Sequence, residues 1–257
     1  MIKISVVTVV YNGEKYIEEA IKTVLQQNYQ NIEFIIIDGK SQDKTLDIIN
    51  KYRNRIDVLI SEEDKGIYDA MNKGIAHATG DAIIFHNVGD YYCRNDVFKK
   101  IAQVLEDENV DSCYGDLLFI RNEPKGRVVR VWRGERYHPR KLALGWMPPP
   151  ATFCIKSKIY KKYGNFVSDL SISADYELTL RCFGKHRITT KYIPEFMVKM
   201  RVGGKSTNGL PSYLTTLKED YLSWVRNWPQ KRAVSVFSVV YKKIHKIPQF
   251  FIRAKNK

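Results

Sequence analysis

Several features that mark common protein classes are absent from this sequence. No apolar run approaches the ~20 residues with which a helix spans a bilayer, which argues against an integral membrane protein. The four cysteines lie far apart without a Cys-x-x-Cys pair, and the five histidines show no ligand spacing. A disulfide framework and a zinc site are therefore not expected. The first ten residues carry no small-residue cleavage site, which predicts a protein that stays in the cytoplasm.

The sequence also lacks the glycine-rich loops that bind phosphates. There is no Gly-x-Gly-x-x-Gly after the first apolar run and no Gly-x-x-x-x-Gly-Lys-Ser/Thr anywhere. A dinucleotide fingerprint and a P-loop are thus excluded. A phosphorylated ligand would instead be held by a divalent cation, which needs only one or two carboxylates besides the phosphates, and by a few basic groups.

Positive charge is in excess and is concentrated in one segment. The chain carries 42 Lys and Arg against 28 Asp and Glu, a formal net charge of +14. Eight of the basic residues and no acidic one fall between Lys231 and Lys257. Such a balance suits a nucleic acid, an anionic membrane surface or a phosphorylated ligand, and charge alone does not choose among them.

Apolar, β-branched runs alternate with helical patterns in the first half of the chain. The predicted strands are Ile2–Val10, Ile32–Ile37, Val58–Ile60 and Ala82–Phe85, and the predicted helices begin after Gly13, at Asp43 and at Ile67. This alternation predicts an α/β domain with a parallel sheet. After about residue 110 the regularity weakens, and Ser112–Ile120 with Val128–Trp132 predicts a hairpin.

The end of the chain predicts a helical extension. Leu210–Trp228 and Ala233–Ile247 have helical patterns that end at Pro229 and Pro248. In the second helix apolar residues recur beside lysines, and Phe250 and Phe251 follow next to Arg253. This pattern is typical of a helix lying on an anionic membrane surface. The alternative is an ordinary amphipathic helix packed on the domain.

Polar residues follow the predicted strands where an open α/β sheet binds its ligands. Tyr11 follows the first strand, Asp38 the second, and Asn87 and Asp90 the fourth. An aromatic ring can stack on a base, Asp38 can accept a hydrogen bond from a base or ribose, and Asp90 can hold a divalent cation against a diphosphate. The alternative for Asn12 and Asp38 is a role confined to turns and caps.

Five segments in order resemble the family 2 glycosyltransferases of bacterial surface polysaccharide biosynthesis. They are Val7–Asn12, Ile37–Thr45, Ser61–Gly74, Ala78–Asp81 and Ser173–Leu178. The resemblance covers roughly residues 1–205, and ordered motifs are more specific than any one alone. It implies a single Rossmann-like GT-A domain, with a central, mostly parallel sheet flanked by helices and followed by the helical extension. It also implies inverting sugar transfer.

Positions and resemblance together predict the donor site. The predicted donor-binding residues are Val9, Tyr11, Asp38, Asp69, Lys73, Asn87 and Arg201. Asp90 matches the metal-binding aspartate of the family, with Mn²⁺ or Mg²⁺ as the ion. Many relatives carry two adjacent acids there, whereas this chain has Gly89 before Asp90, so the metal would depend on one carboxylate.

Asp175 matches the general base of the family. A positioned carboxylate that takes the proton of the acceptor hydroxyl contributes roughly 10²–10⁴-fold in rate. The alternative is a helix N-cap. Pro150 stands where relatives usually have a histidine, and Lys199–Ser206 suits a mobile loop over phosphates or a basic surface loop.

These predictions combine into one functional hypothesis. Residues 1–110 would bind the nucleotide sugar, residues 111–207 the acceptor, and residues 208–257 a membrane. The predicted reaction transfers a sugar from a nucleotide diphosphate sugar, with UDP favoured, to a lipid-linked saccharide. The product would belong to O-antigen, capsule or exopolysaccharide synthesis at the inner face of the cell membrane.

Two other functions remain as alternatives. A nucleotidyltransferase predicts a glycine-rich basic loop after the first strand, where this chain has Tyr11–Glu14. A non-catalytic nucleic-acid-binding protein predicts interleaved basic and aromatic residues, but acidic strand ends would repel phosphates. No nucleic-acid partner is therefore expected.

Overall fold

The computed structural model describes residues 1–121, 126–203, 209–231, 237–239 and 241. The first half contains β1 (Ile4–Val10), α1 (Ile17–Leu25), β2 (Ile32–Asp38), α2 (Thr45–Asn50), β3 (Val58–Ser61), α3 (Ile67–His77) and β4 (Ala82–Phe85). There follow β5 (Asp90–Tyr92), α4 (Val97–Leu105), β6 (Ser112–Ile120), β7 (Val128–Trp132), α5 (Pro139–Ala143), β8 (Cys154–Lys156), α6 (Ser157–Tyr163), α7 (Ala174–Thr179), β9 (Thr190–Arg201) and α8 (Gly209–Asn227).

All nine of these strands belong to one sheet. Its order is β3-β2-β1-β4-β8-β6-β9-β5, and β7 pairs with β6 beside this path. The strands β3, β2, β1 and β4 run parallel, as predicted. Beyond β4 the sheet is mixed, because β8 runs antiparallel to both β4 and β6 while β6 and β9 are parallel. The prediction of an α/β domain with a central sheet and flanking helices is confirmed.

The apolar runs reflect a sheet that is covered on both faces. Along β1, Val6 and Val10 pack into one buried cluster and Val7 and Val9 into another on the opposite face. A strand buried on both sides needs apolar residues at every position rather than at alternate ones. Each fully buried valine or isoleucine contributes about 1.5–3 kcal/mol through the hydrophobic effect.

Two features of the second half differ in how well the sequence predicts them. The hairpin of β6 and β7 is confirmed, with Leu117 opposite Trp132. The strand β5 is absent from the sequence prediction, because its three residues follow polar residues that indicate a loop. It forms because Asp90 pairs with Met200 of β9, a partner 110 residues away.

The helix α8 corresponds to the first predicted helix of the extension. It packs on α7, where the Trp224 indole N–H donates to the Tyr176 hydroxyl at 2.9 Å. Of the second predicted helix, only residues 237–239 and 241 lie within the described residues, and 248–253 lie outside them. No helix among the described residues is both long enough and apolar enough to cross a bilayer.

Glu33 on β2 is the centre of a buried hydrogen-bond network at the amino end of the sheet. Its carboxylate accepts from the Ser5 hydroxyl at 2.6 Å, from the Thr79 N–H at 2.8 Å and from Lys3 Nζ at 3.1 Å. Burial alone would raise the pKa of Glu33, but the hydrogen bonds from Ser5 and Thr79 outweigh it and lower the pKa to about 2. The ionised carboxylate therefore stabilises the fold.

We expect Glu33→Gln to lower the free energy of unfolding by about 3 kcal/mol at pH 7, since a pKa difference of one unit corresponds to about 1.4 kcal/mol. The folded-state pKa lies below the unfolded value, so this stabilisation is present above about pH 4.5 and is lost as the pH falls toward 2. Urea unfolding between pH 7 and pH 2 measures the effect. The difference in free energy of unfolding between wild type and Glu33→Gln should vanish at low pH, whereas Glu108→Gln at an exposed position should leave stability unchanged. A difference that stays constant with pH would contradict the stabilising role of the ionised Glu33 carboxylate.

Candidate active site

The loops after β1 and β2 are locked together at the carboxyl end of the sheet. Asn12 has a left-handed backbone, with φ of 49°, which asparagine tolerates better than most residues. Its side-chain oxygen accepts from the Gln42 N–H at 2.8 Å, and its own N–H donates to the Ser41 hydroxyl at 2.8 Å. Asn12 is thus a turn residue that ties the two loops, as the structural alternative predicted. These hydrogen bonds fix the backbone of both loops next to Tyr11 and Asp38.

Tyr11 and Asp38 lie at the ends of neighbouring strands but differ in exposure. The Tyr11 side chain is 60% exposed, so its ring is accessible to a ligand. Asp38 is fully buried, and its carboxylate accepts from the Ser41 hydroxyl at 2.5 Å, the Ser41 N–H at 3.0 Å and the Ser61 hydroxyl at 2.6 Å. About four lone-pair sites exist on a carboxylate, so roughly one remains for a ligand.

The backbone at Gly39, next to Tyr11, is closely packed. A Cβ atom at Gly39 would lie 2.3 Å from a carboxylate oxygen of Asp64 and 3.4 Å from the Tyr11 Cβ, so a larger residue there would displace the Asp64 side chain. The Val9 side chain is buried in the hydrophobic core. A donor could therefore contact Val9 only through its peptide group.

Asp69 and Lys73 lie one turn apart near the start of α3. Asp69 accepts from the Lys65 N–H at 3.0 Å and is 3.8 Å from Lys73 Nζ. Lys73 also pairs with Glu62 at 2.9 Å, and this hydrogen bond raises the pKa of the lysine. Lys73 is therefore a cation at neutral pH, held at the edge of the site by carboxylates that a phosphate would have to replace.

Two oxygens near the end of β4 lack hydrogen-bond partners. They are Oδ1 of Asn87 and Oδ2 of Asp90, both buried. Asp90 is 3% exposed, and this burial raises its pKa to about 8. A buried polar atom without a partner costs about 1–3 kcal/mol, a cost that a ligand can remove.

These oxygens fit a hard divalent cation. Mg²⁺ and Mn²⁺ prefer carboxylate, amide and phosphate oxygens and usually keep several ligands from phosphates and water. No group of three Asp, Glu, His or Cys side chains that could hold an ion is found within the described ranges. An ion at Asp90 would therefore need oxygens from a bound diphosphate.

Gly89 explains why a second acid is missing beside Asp90. Its φ is 97°, a conformation that residues with a Cβ rarely adopt. The backbone that brings Asp90 into β5 thus requires glycine at this position. His86, at the other side of Asn87, is buried and stacks on Tyr92 at 4.6 Å, so it packs at the strand end rather than facing a ligand.

Arg201 ends β9 and reaches the same region from the opposite edge. Its guanidinium lies 4.0 Å from the centre of the Tyr16 ring and donates to the Tyr91 hydroxyl. A Cβ at Gly89 would be 3.9 Å from the Arg201 Cβ, so the Arg201 side chain begins next to the turn that precedes Asp90. Of the predicted loop Lys199–Ser206, residues 204–206 lie outside the described residues.

Asp175 lies in the first turn of α7, at the entrance to a cleft. Ser173 occupies the cap position, so Asp175 is inside the helix rather than its N-cap. Its Oδ1 accepts from the Tyr176 N–H at 2.8 Å and lies 3.4 Å from the Tyr68 hydroxyl. The adjoining cleft is lined by Phe85, Met147, Pro148, Pro150, Phe153, Tyr160, Phe166, Asp175, Leu178 and Thr179.

The structure brings the predicted residues to one edge of the sheet. Tyr68, which precedes Asp69 in α3, connects the first half of the chain to Asp175. Pro150, at the position of the missing histidine, lines the cleft beside the same carboxylate. Tyr68 lies within the segment Ser61–Gly74, but no sequence pattern assigns it a role. Glu219 on α8 binds the backbone before Asp175, and since Lys218 and Asp220 flank it in the chain, no local pattern marks it as a buried acid.

Comparisons with known proteins bear on the family and the fold. A glycosyltransferase of Rickettsia typhi without a characterised activity is 28% identical over 228 residues, which are 86% of this chain and 70% of that protein. The structure of residues 1–349 of Staphylococcus aureus TarS in complex with UDP-GlcNAc superposes with a TM-score of 0.66 at 18% identity, covering 99% of this chain and 74% of that fragment. The Pyrobaculum calidifontis mannosyltransferase PcManGT, in complex with GDP-Man and Mn²⁺, gives a TM-score of 0.68 at 15% identity, covering 97% and 73%.

These structural likenesses support the GT-A fold. Residues 5–164, from the start of β1 through α6, match the model of glycosyl transferase family 2. Since this match spans more than half of the sequence, the chain belongs to glycosyl transferase family 2.

Proposed function

We propose that this protein is an inverting, metal-dependent glycosyltransferase that moves a sugar from a UDP-sugar to a hydroxyl of a lipid-linked saccharide. One observation carries the proposal. The exposed Tyr11 ring follows β1, the unpartnered oxygens of Asn87 and Asp90 follow β4, and Asp175 lines a cleft together with Phe85 at the end of β4. These are the groups that a base, a metal-bound diphosphate and an acceptor hydroxyl require.

The donor is assigned to residues 1–110. Tyr11 stacks on the base, while Asp38 accepts one hydrogen bond from base or ribose with its remaining lone pair. Asp69 and Lys73 face the ribose and the diphosphate from the start of α3, and Arg201 approaches from β9. We propose UDP as the nucleotide, as in the TarS complex with UDP-GlcNAc; PcManGT forms its complex with GDP-Man, so the panel of donors below includes both nucleotides.

The metal is assigned to Asp90, with Asn87 beside it. PcManGT, whose fold is the same, binds Mn²⁺ together with GDP-Man. A divalent cation at this position neutralises the charge that develops on the departing nucleoside diphosphate. The protein contributes the carboxylate, the amide oxygen and a buried surrounding in which charge interactions are strong.

Asp175 acts as the general base of residues 111–207, the acceptor half. The acceptor oxygen attacks the anomeric carbon on the face opposite the leaving diphosphate, and its proton passes to Asp175. One displacement from that face inverts the anomeric configuration. The Tyr176 N–H donates to the carboxylate, and the Tyr68 hydroxyl donates to the Ile172 carbonyl in the backbone before it.

Residues 208–257 are assigned to the inner face of the cell membrane. Tyr213, Leu214 and Phe237 are exposed in the described part of this extension. The sequence from Lys231 to Lys257 adds eight basic residues and no acidic one. Apolar side chains next to cations favour an anionic bilayer surface, where a lipid-linked acceptor for O-antigen, capsule or exopolysaccharide synthesis is found.

The experiment that tests the function is release of nucleoside diphosphate from a panel of nucleotide sugars. Wild type and Asp90→Ala are compared with Mn²⁺, with Mg²⁺ and with a chelator, since slow donor hydrolysis needs no acceptor. We expect one UDP-sugar to give metal-dependent release that Asp90→Ala abolishes. If no donor is bound or turned over under any metal condition, the proposal fails and nucleic-acid binding by the basic tail becomes the better hypothesis.

Tyr11→Ala is expected to weaken UDP binding about 5-fold or more, because stacking of a base on an aromatic ring contributes about 1–3 kcal/mol. Isothermal titration with UDP and Mn²⁺ measures the dissociation constant. Tyr11→Phe keeps the ring and serves as the matched control, with affinity close to wild type. Equal loss in both variants would instead assign the contribution to the hydroxyl.

A further inference from the structure

Glu219 of α8 binds one short backbone segment with its whole carboxylate. Its Oε1 accepts from the Ser171 N–H at 2.9 Å and the Ser171 hydroxyl at 2.8 Å. Its Oε2 accepts from the N–H groups of Ile172 and Ser173, each at 2.8 Å. Glu219 is 7% exposed, so these bonds form away from water.

The bound segment leads directly into the first turn of α7. Asp175 comes two residues after Ser173. On the opposite side of the segment, the Tyr68 hydroxyl donates to the Ile172 carbonyl at 2.6 Å. The same hydroxyl lies 3.4 Å from Oδ1 of Asp175. The backbone that carries Asp175 is therefore held between α3 on one side and α8 on the other.

Only an anion satisfies this arrangement. Three consecutive N–H groups and a hydroxyl converge on the carboxylate, and convergent backbone donors favour negative charge. Glu219 forms no ion pair with any residue that the structure describes, so its charge is used for these donors. A neutral side chain would leave buried N–H groups unpaired.

We propose that Glu219 is a positioning residue that sets the place of Asp175 and thereby makes α8 a part of the active site. This inference rests on the proposed function of Asp175. Asp175 already lies beyond residue 164, where the match to the family model ends, and Glu219 extends the machinery further, to α8. The extension would then serve the reaction as well as the membrane.

The test compares Glu219→Ala and Glu219→Gln with wild type, using the UDP-sugar that wild type hydrolyses. Donor hydrolysis gives kcat and KM, and titration with UDP and Mn²⁺ gives the dissociation constant. We expect kcat to fall about 10- to 100-fold for alanine, since displacement of a catalytic group by about 1 Å costs up to 10²-fold. The glutamine variant should lose less, and KM and UDP affinity should stay within about two-fold of wild type, because no donor-binding residue moves.

Glu33→Gln is the matched control for stability. Glu33 is also a buried carboxylate with several donors, but it lies at the amino end of the sheet. Assayed well below each melting temperature, it should keep the wild-type kcat. Hydrogen exchange adds a direct readout, since the amides of 171–173 should exchange faster in the Glu219 variants and not in Glu33→Gln.

The outcomes separate this inference from the function on which it rests. If wild type hydrolyses no donor, the proposed function fails and the positioning role fails with it. If wild type is active and Glu219→Ala keeps its kcat, only the positioning role fails. If kcat and KM change together in the Glu219 variants, or if Glu33→Gln loses as much kcat as they do, Glu219 only stabilises the fold. Either result would also overturn the inference.

Discussion

Asp175→Asn is expected to lower kcat by roughly 10²–10⁴-fold, the contribution of a positioned general base. Asparagine has nearly the same shape, and its oxygen can still accept from the Tyr176 N–H. The amide cannot take a proton at neutral pH, so only the transfer step is lost. The affinity for UDP with Mn²⁺, measured by titration, should change less than about two-fold, because no donor-binding residue is altered.

Asp169→Asn provides the control for this substitution. Asp169 precedes α7, is exposed and pairs with Arg226 of α8 at 2.5 Å. Exposed ion pairs contribute little to stability, so this variant should retain wild-type kcat. Near-normal turnover by Asp175→Asn would show that another group removes the acceptor proton.

Asp90→Ala is expected to reduce turnover by at least about 10²-fold, because a divalent cation contributes several kcal/mol of charge stabilisation to the leaving diphosphate. The remaining activity should no longer respond to a chelator. The affinity for Mn²⁺ in the presence of UDP, followed by titration, should fall in parallel. Asn87→Ala should show the same changes to a smaller extent, since an amide oxygen carries no net charge.

Asp47→Ala on the exposed side of α2 is the matched control for the metal site. It removes one carboxylate from the surface and should leave both metal affinity and turnover at wild-type values. Retained chelator sensitivity in Asp90→Ala would mean that the cation binds elsewhere. The assignment of the unpartnered oxygens near β4 to the metal would then be wrong.

Local sequence patterns predicted the parallel half of the sheet well. The run from Ile2 to Val10 is apolar at every position because β1 is covered on both faces. Its partners β2 and β4 are also apolar runs, and amphipathic helices separate them in the chain. Since ligands bind beyond the carboxyl ends of such strands, the same patterns also pointed to Tyr11, Asp38 and Asp90.

The second half was less predictable because its strands pair with distant parts of the chain. β5 contains only three residues and exists through its pairing with β9. The antiparallel direction of β8 between β4 and β6 likewise depends on long-range register. A short strand has too few residues for a period-two pattern, so its sequence cannot be told from a loop.

By itself, the sequence determined the order of the elements from β1 to β4, the strand ends that carry polar groups and the family to which the chain belongs. These follow from local periodicity and short motifs, which depend on neighbouring residues. Only the tertiary structure decided that Asp38 is almost saturated with internal hydrogen bonds, that the oxygens of Asn87 and Asp90 lack partners, and that Glu219 holds the segment before Asp175. Burial and hydrogen-bond satisfaction depend on residues far apart in the chain, which meet only when the sheet and α8 have packed.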